Sequence, residues 1–330
     1  MKNKIRELKH KILSGQDINL EEALEVINIE EENKEALEEL FVGANEIRKK
    51  FNGDIVDLCT IMNVKSGRCS EDCKYCAQSI HYKTGIDEFS LLDEEEVLKE
   101  AKINEMEGAN KFSLVSSGRG IINGSEFEKL LKIYKRLKKE TKLHLCASHG
   151  IITYEQAVKL KEAGVEMYHH NIESCENFYK NICSTHSYED RINTIKNVKK
   201  AGLKICSGGI LGLGESREER VKMAFELKEL DVNSIPLNIL TPIKGTPFEN
   251  NEKENPIELI KTMAVFRYIN PKIVIRYAGG RMQLKENQRL GLRAGINGAL
   301  TGNFLTTTGS TIESDKKMIE SENLKIVENI

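Results

Sequence analysis

The 330-residue chain has no tryptophan, only five prolines and no surplus of either charge, with 49 basic against 51 acidic residues. Each scarcity removes a class of protein. So even a balance leaves no basic stripe for nucleic acid, and the lysine-rich stretch 135–142 reads as the solvated face of a helix. With few prolines and no low-complexity linker, nothing marks a border between two large domains. No stretch approaches the ~18 consecutive apolar residues of a membrane span, and the charged start, "MKNKIRELKHKILSGQDINLEEALEV", lacks the uninterrupted apolar segment of a secretory signal. The expected setting is cytoplasmic and away from membranes. There the eight cysteines serve metal ligation, catalysis or packing rather than disulfides.

What is present is a regular alternation. Short β-rich apolar runs occur near residues 54–64, 111–117, 143–148, 165–172, 204–213, 234–240, 272–280 and 296–302. Between them lie segments such as "FEKLLKIYKRLKKE" and "YEDRINTIKNVKKAG", with apolar residues at helical spacing and several terminal glycines. Strands alternating with helices give right-handed crossovers and a parallel sheet. Eight such units predict an α/β fold, a (β/α)8 TIM-type barrel over residues 51–312, with a helical N-terminal extension over 1–50 and a C-terminal tail over 313–330. A doubly wound open sheet is the alternative. On a barrel, chemistry gathers at the C-terminal strand ends, where Cys69 to Cys76, Cys146, Asn171, Glu173 and Cys206 all fall; Asn238 and Arg276 lie within the sixth and seventh runs.

The most specific signal is "CSEDCKYCAQS", which spaces Cys69, Cys73 and Cys76 as C-x3-C-x2-C. Thiolates in such a set suit zinc, copper(I) or an iron-sulfur cluster. A structural zinc site takes four closed ligands, and the second pair is missing. A 4Fe-4S cluster on three thiolates keeps one iron open for a ligand. Tyr75, beside the third cysteine, could lie against an adenine or simply pack under the loop.

This pattern at the start of a barrel resembles the radical S-adenosylmethionine enzymes. There the open iron chelates S-adenosylmethionine, whose one-electron cleavage gives a 5'-deoxyadenosyl radical. The wider motifs "KSGRCSEDCKYCAQSIHYKTG", "KICSGGILGLGE", "IPLNILTPIKGTP" and "VIRYAGGR" narrow the likeness, over about residues 50 to 310, to the biotin synthase family. The resemblance implies sulfur insertion between C6 and C9 of dethiobiotin, with the sulfur drawn from an auxiliary 2Fe-2S cluster. It also implies a reducing donor such as flavodoxin or ferredoxin, and a homodimer.

By the same resemblance the auxiliary cluster falls to Cys146, Cys206 and Arg276, and the remaining cysteine position is occupied by Ser113. A serine oxygen is a hard and poor ligand for this soft centre. Ser113 ligates nonetheless, or another cysteine replaces it, with Cys183 the first candidate and Cys175 the second, or the cluster has a different nuclearity. Arg276 has a plainer alternative as a buried ion pair, for instance with Glu173. Cys59, inside the first strand, reads as core. The resemblance further assigns Asn171, Glu173 and Arg191, with Tyr75, to S-adenosylmethionine, and His169 and Asn238 to the substrate. His169 and His170 could equally be packing residues, and Arg191 a surface ion pair. Two other activities stay open: a related enzyme of the hydrogenase maturase or methylornithine synthase type, and an electron-transfer or scaffold protein that merely holds a cluster.

Overall fold

The computed structural model describes residues 1–121, 124–302 and 309–327. Three helices come first, α1 (Lys2–Leu13), α2 (Leu20–Ile27) and α3 (Lys34–Asn52). The Ile5, Leu8 and Ile12 stripe of α1 is buried. Asn19 and Glu22 cap α2 reciprocally, side chain to backbone in both directions, which satisfies two of the donors that a helix start leaves open. This group rests on the later helices, α2 against α9 (Arg217–Glu229) and α3 against α10 (Pro256–Ile269).

All eight apolar runs form strands. These are β1 (Ile55–Lys65), β2 (Lys111–Ser116), β3 (His144–Ser148), β4 (Val165–His169), β5 (Lys204–Cys206) with its continuation β6 (Gly209–Leu211), β7 (Ser234–Ile239), β8 (Val274–Tyr277) and β9 (Gly298–Thr301). Every pairing between them is parallel, and β9 closes on β1 with Gly298 beside Asp57. The architecture is thus the closed (β/α)8 barrel, and the open-sheet alternative is excluded. The 204–213 run is the irregular one. It breaks at Ser207 and Gly208, where any Cβ on residue 208 would collide with the Pro236 carbonyl at 2.0 Å.

The helices between strands are α4 (Glu94–Met106), α5 (Ser125–Glu140), α6 (Tyr154–Glu162), α7 (Glu176–Tyr179) and α8 (Tyr188–Lys200), followed by α9 and α10. In α5 the residues Phe127, Leu130, Leu131, Tyr134 and Leu137 are all buried, each worth about 1.5–3 kcal/mol for the larger side chains when taken from water. Capping boxes at Thr153, Ser187 and Ser216 start α6, α8 and α9.

The chain past residue 312 is more than a tail. After α11 (Gln288–Arg293) it forms α12 (Ile312–Ser321) and β10 (Lys325–Ile326), which adds in parallel to the start of β1 at Ile55 and Val56. Arg281 is wholly buried and ion-paired to Asp315 at 2.5 Å. Among the described residues, no helix is long and apolar enough to cross a membrane.

Candidate active site

Successive side chains of a strand point to opposite sides, so every second residue of a barrel strand faces the interior. Along β1 the series is Asp57, Cys59, Ile61 and Asn63. The last two line cavities at the C-terminal face, whereas the first two lie below them. The interior is therefore layered, with an ionic floor, a thiol layer above it and a mouth closed by loops.

The mouth is built on the loop after β1. Backbone N–H of Cys69 donates to the Gln78 carbonyl (2.9 Å), and Ile80 N–H donates back to Cys69 (2.8 Å), so the loop folds on itself. The Gln78 side chain accepts from Gly67 N–H and from the Ser66 hydroxyl, fixing the turn that delivers the first cysteine. Cys69, Cys73 and Cys76 all line one cavity of about 230 Å³, together with His169, Asn171 and Glu173. Burial raises the Cys69 thiol and pushes Cys76 up to about 11, so these thiols surrender their protons to a metal rather than to water.

Opposite the loop stand Asn171, Glu173 and Arg191. Glu173 has a left-handed backbone (φ 67°), a strained conformation for such a residue and one typical of functional sites. It is held by its N–H on the Gly208 carbonyl (3.1 Å) and by Ile210 N–H on its own carbonyl (2.9 Å). Arg191 is buried rather than on the surface: Nη1 donates to the Asn171 carbonyl (2.8 Å) and lies 3.6 Å from Glu173, while Nε donates to the Tyr179 hydroxyl (2.7 Å). The Asn171 amide bridges to Glu173 (3.3 Å) and accepts from Gly208 N–H (3.2 Å).

Tyr75 and Cys76 also line a second, mostly apolar cavity, with Ile61, Ile210, Leu240 and Leu300 among its walls. Asn238 faces it, with its amide donating to the Gly209 carbonyl (3.1 Å) and accepting from Gly279 N–H (2.9 Å).

In the thiol layer, ligand atoms of Cys59, Cys146 and His169 lie within 4.8 Å of one another. Cys206 packs with Cys146 and Met167, and Ser113 is the strand neighbour of Cys146 with a buried, unpartnered hydroxyl. Cys59 and Cys146 stand close enough that their interaction draws the Cys59 thiol down and drives the Cys146 thiol up. Burial, helped by Arg276 and Lys111, pushes His169 down to about 3, so its imidazole is neutral and free to ligate or accept.

Below, one Asp57 oxygen accepts from Lys111 (2.5 Å) and from Arg276 (2.6 Å). Burial alone would raise that carboxyl, yet Arg276 and Lys111 hold it below its usual value. Arg276 also donates to the Ser234 hydroxyl (2.8 Å) and keeps one buried nitrogen, Nη1, without a partner. The ion pair of Arg276 is thus with Asp57, and Glu173 instead faces Arg191.

Comparison with known proteins now fits this geometry. A model of the Radical SAM superfamily matches residues 63–227, and one of the Biotin and Thiamin Synthesis associated domain matches residues 236–325. The chain is 54% identical over 326 residues to the biotin synthase of Clostridioides difficile (strain 630), covering 99% of this chain and 100% of that one. To the biotin synthase of Fusobacterium nucleatum subsp. nucleatum it is 56% identical over 323 residues, covering 97% and 90%. The chain belongs to the biotin synthase family. It is accordingly a radical S-adenosylmethionine enzyme, and the family implies a 4Fe-4S cluster used with S-adenosylmethionine. Solved structures of methylornithine synthase (TM-score 0.85, 20% identity, 98% of both chains) and of a maturase of the [FeFe]-hydrogenase (TM-score 0.84, 18% identity, 99% of this chain and 76% of that one) share the fold.

Seen as a member of the biotin synthase family, the chain departs from the sequence expectations at three cysteines. Cys183 does not join Cys146 and Cys206. It sits at the mouth, its sulfur 3.1 Å from an Asp72 carboxylate oxygen and 3.2 Å from His186 Nδ1. Cys175 caps the start of α7. Cys59, read as core, is buried but lies inside the barrel against Cys146 and His169. The available signal was an aspartate two residues before a cysteine inside an apolar strand, since Asp57 and Cys59 share a face.

Proposed function

We propose that the chain converts dethiobiotin to biotin by inserting sulfur between C6 and C9. The observation that carries this reading is the stacking of two thiol sets in one barrel interior, Cys69, Cys73 and Cys76 at the mouth and Cys59, Cys146 and Cys206 beneath.

In this reading the mouth thiols hold the 4Fe-4S cluster, and the donor set fits: three soft ligands around one cavity leave an iron open. A cluster bound there would supply one-electron chemistry for the reductive cleavage of S-adenosylmethionine. The Glu173 carboxylate accepts from ribose hydroxyls, and Arg191 keeps it and Asn171 in place from behind. Tyr75, shared by both cavities, separates the adenine from the substrate. The mostly apolar second cavity with Asn238 suits the aliphatic chain and the polar ring of dethiobiotin.

The lower thiols hold the auxiliary cluster. Their fit rests on three buried sulfurs, a neutral His169 and the unpartnered Nη1 of Arg276, which can donate to an anionic group. With its carboxylate partner in place Arg276 stays a cation, so it acts by charge and hydrogen bonding, and Cys59 takes the ligand position that Ser113 leaves. A flavodoxin- or ferredoxin-type donor and a homodimer accompany the reading on family resemblance. The test is anaerobic reconstitution with iron and sulfide, then assay of biotin from dethiobiotin, S-adenosylmethionine and reductant. Cleavage of S-adenosylmethionine without biotin, in a protein carrying one cluster, would replace this reading by another radical enzyme on the same barrel.

A further inference from the structure

The mouth also brings together a set of metal-type donors that sulfur insertion does not use. The sulfurs of Cys73 and Cys183 and Nδ1 of His186 lie within 4.8 Å of one another, and all three residues are buried. Cys183 and His186 are separated by two residues in the short link between α7 and α8, which presents a thiol and an imidazole side by side at 3.2 Å. Cys73 reaches them from the cluster loop. Bond lengths near 2.3 Å for sulfur and 2.1 Å for nitrogen place the donors of a tetrahedral zinc site about 3.6–3.8 Å apart, so these three close on one ion with little movement. Two sulfurs and a nitrogen are also a mixture that such an ion favours.

The link that carries Cys183 and His186 is sewn to the cluster loop by backbone. Lys74 N–H donates to the Ile182 carbonyl (3.0 Å) and Asp72 N–H to the Thr185 hydroxyl (3.1 Å). The Asp72 carboxylate accepts from the backbone of Ser184 (2.8 Å) and Thr185 (3.1 Å). These bonds hold the two segments in register whatever the side chains do. Each donor of the link also has a carboxylate beside it: the Cys183 thiol donates to Asp72 (3.1 Å), and His186 Nδ1 lies 2.6 Å from Glu71. Such carboxylates orient ligands and offset the charge of a cation. Asp72 is already engaged by two backbone N–H groups, so the fourth position falls to Glu71. Glu71, Cys73 and His186 all line the mouth cavity, which gives an ion its way in.

We propose that Cys73, Cys183 and His186 form a second site, for a single divalent ion of the zinc class, in the chain before its 4Fe-4S centre is built. The two thiols bind as thiolates and their protons leave to solvent, while the imidazole binds neutral. Cys73 is shared with the triad, so an ion held in this second site keeps the 4Fe-4S centre from forming. That exclusion rests on the assignment of Cys69, Cys73 and Cys76 as the 4Fe-4S ligands, whereas the ion site stands on its own three donors.

The experiment titrates the metal-free, reduced, full-length chain without oxygen, with zinc against a chromophoric chelator and with cobalt(II), whose visible absorption reports thiolate and imidazole ligands. Wild type, Cys183→Ser, His186→Gln and Cys69→Ser are compared, with circular dichroism confirming that each is folded. Cys183→Ser and His186→Gln are expected to bind one ion at least about 100-fold more weakly, since even supporting residues of metal sites cost 10–100-fold. Cys69→Ser is expected to keep that ion. Its loss from Cys69→Ser as well would place the ion in the triad and overturn the inference, as would equal affinity in wild type and Cys183→Ser. In the second arm zinc is added before iron and sulfide, and the EPR signal that changes with S-adenosylmethionine is measured. Wild type is expected to form about tenfold less four-iron centre than Cys183→Ser, because zinc bound to the unassembled chain withdraws it by mass action. Equal yields overturn the exclusion. Failure of zinc-free wild type to form a four-iron centre overturns the triad assignment, and the exclusion with it.

Discussion

The mouth and the middle layer of this barrel both gather thiols, but by different means. At the mouth the three cysteines sit within eight residues of one loop, and backbone hydrogen bonds such as Cys69 to Gln78 shape it. In the middle layer they come from β1, β3 and β5, brought together only by strand register, and the charges of the floor beneath them are fixed by the Asp57 bridge between Lys111 and Arg276. A local motif can be laid down by a short stretch of chain. A register-built site exists only once the whole barrel has closed, and it inherits the barrel's rigidity.

That contrast can be broken first at the mouth. Cys76→Ala is expected to abolish S-adenosylmethionine cleavage, and biotin with it, as measured by deoxyadenosine and methionine release; undiminished cleavage would unseat the triad. At the thiol layer, Cys59→Ala is expected to leave cleavage present while biotin formation falls by more than ~100-fold, since even supporting residues of metal sites cost 10–100-fold. Equal loss of both products would mean that the two layers do not act separately.

The floor is probed by Asp57→Asn. It strips the buried Arg276 and the part-buried Lys111 of their shared carboxylate, and breaking a buried pair this way typically costs about 3–5 kcal/mol. Chemical denaturation of the metal-free protein should show a loss of that order, and a change under about 1 kcal/mol would mean that water already screens the site. The effect smallest near neutral pH concerns His149, outside both layers. Burial pushes it down to about 3, and it bonds the Tyr134 and Ser116 hydroxyls at 2.8 Å each. Below its ordinary value near 6.5 the unfolded chain takes up a proton that the native state refuses, so stability should fall as pH drops from about 6.5 toward 3. The loss approaches about 1.4 kcal/mol per pH unit for this one group, and His149→Gln should flatten the slope in pH-dependent denaturation.

These same differences set what could be read without coordinates. The eight strands announced themselves through apolar runs and helical spacing, and the triad through its own three positions. Cys59 was hidden because both faces of a parallel barrel strand are buried, so β1 shows no alternation to mark which side is the interior. Cys183 was misplaced for the converse reason: a position just past strand 4 is compatible with the floor or the mouth, and only the hydrogen bonds to Asp72 decide. The Arg276 partner, Asp57, lies 219 residues away in sequence, beyond any local pattern.

One strand carries more than its share of this design. β1 receives β10 at Ile55, bears Asp57 and Cys59 on its inner face, and runs straight into the loop of Cys69. The ten-residue step from Cys59 to Cys69 acts as a ruler between the two thiol layers. A single inserted or deleted residue in that stretch would turn one end of the strand inside out or drag the loop off its seat, so the two centres can drift in sequence elsewhere but must be inherited at a fixed separation here.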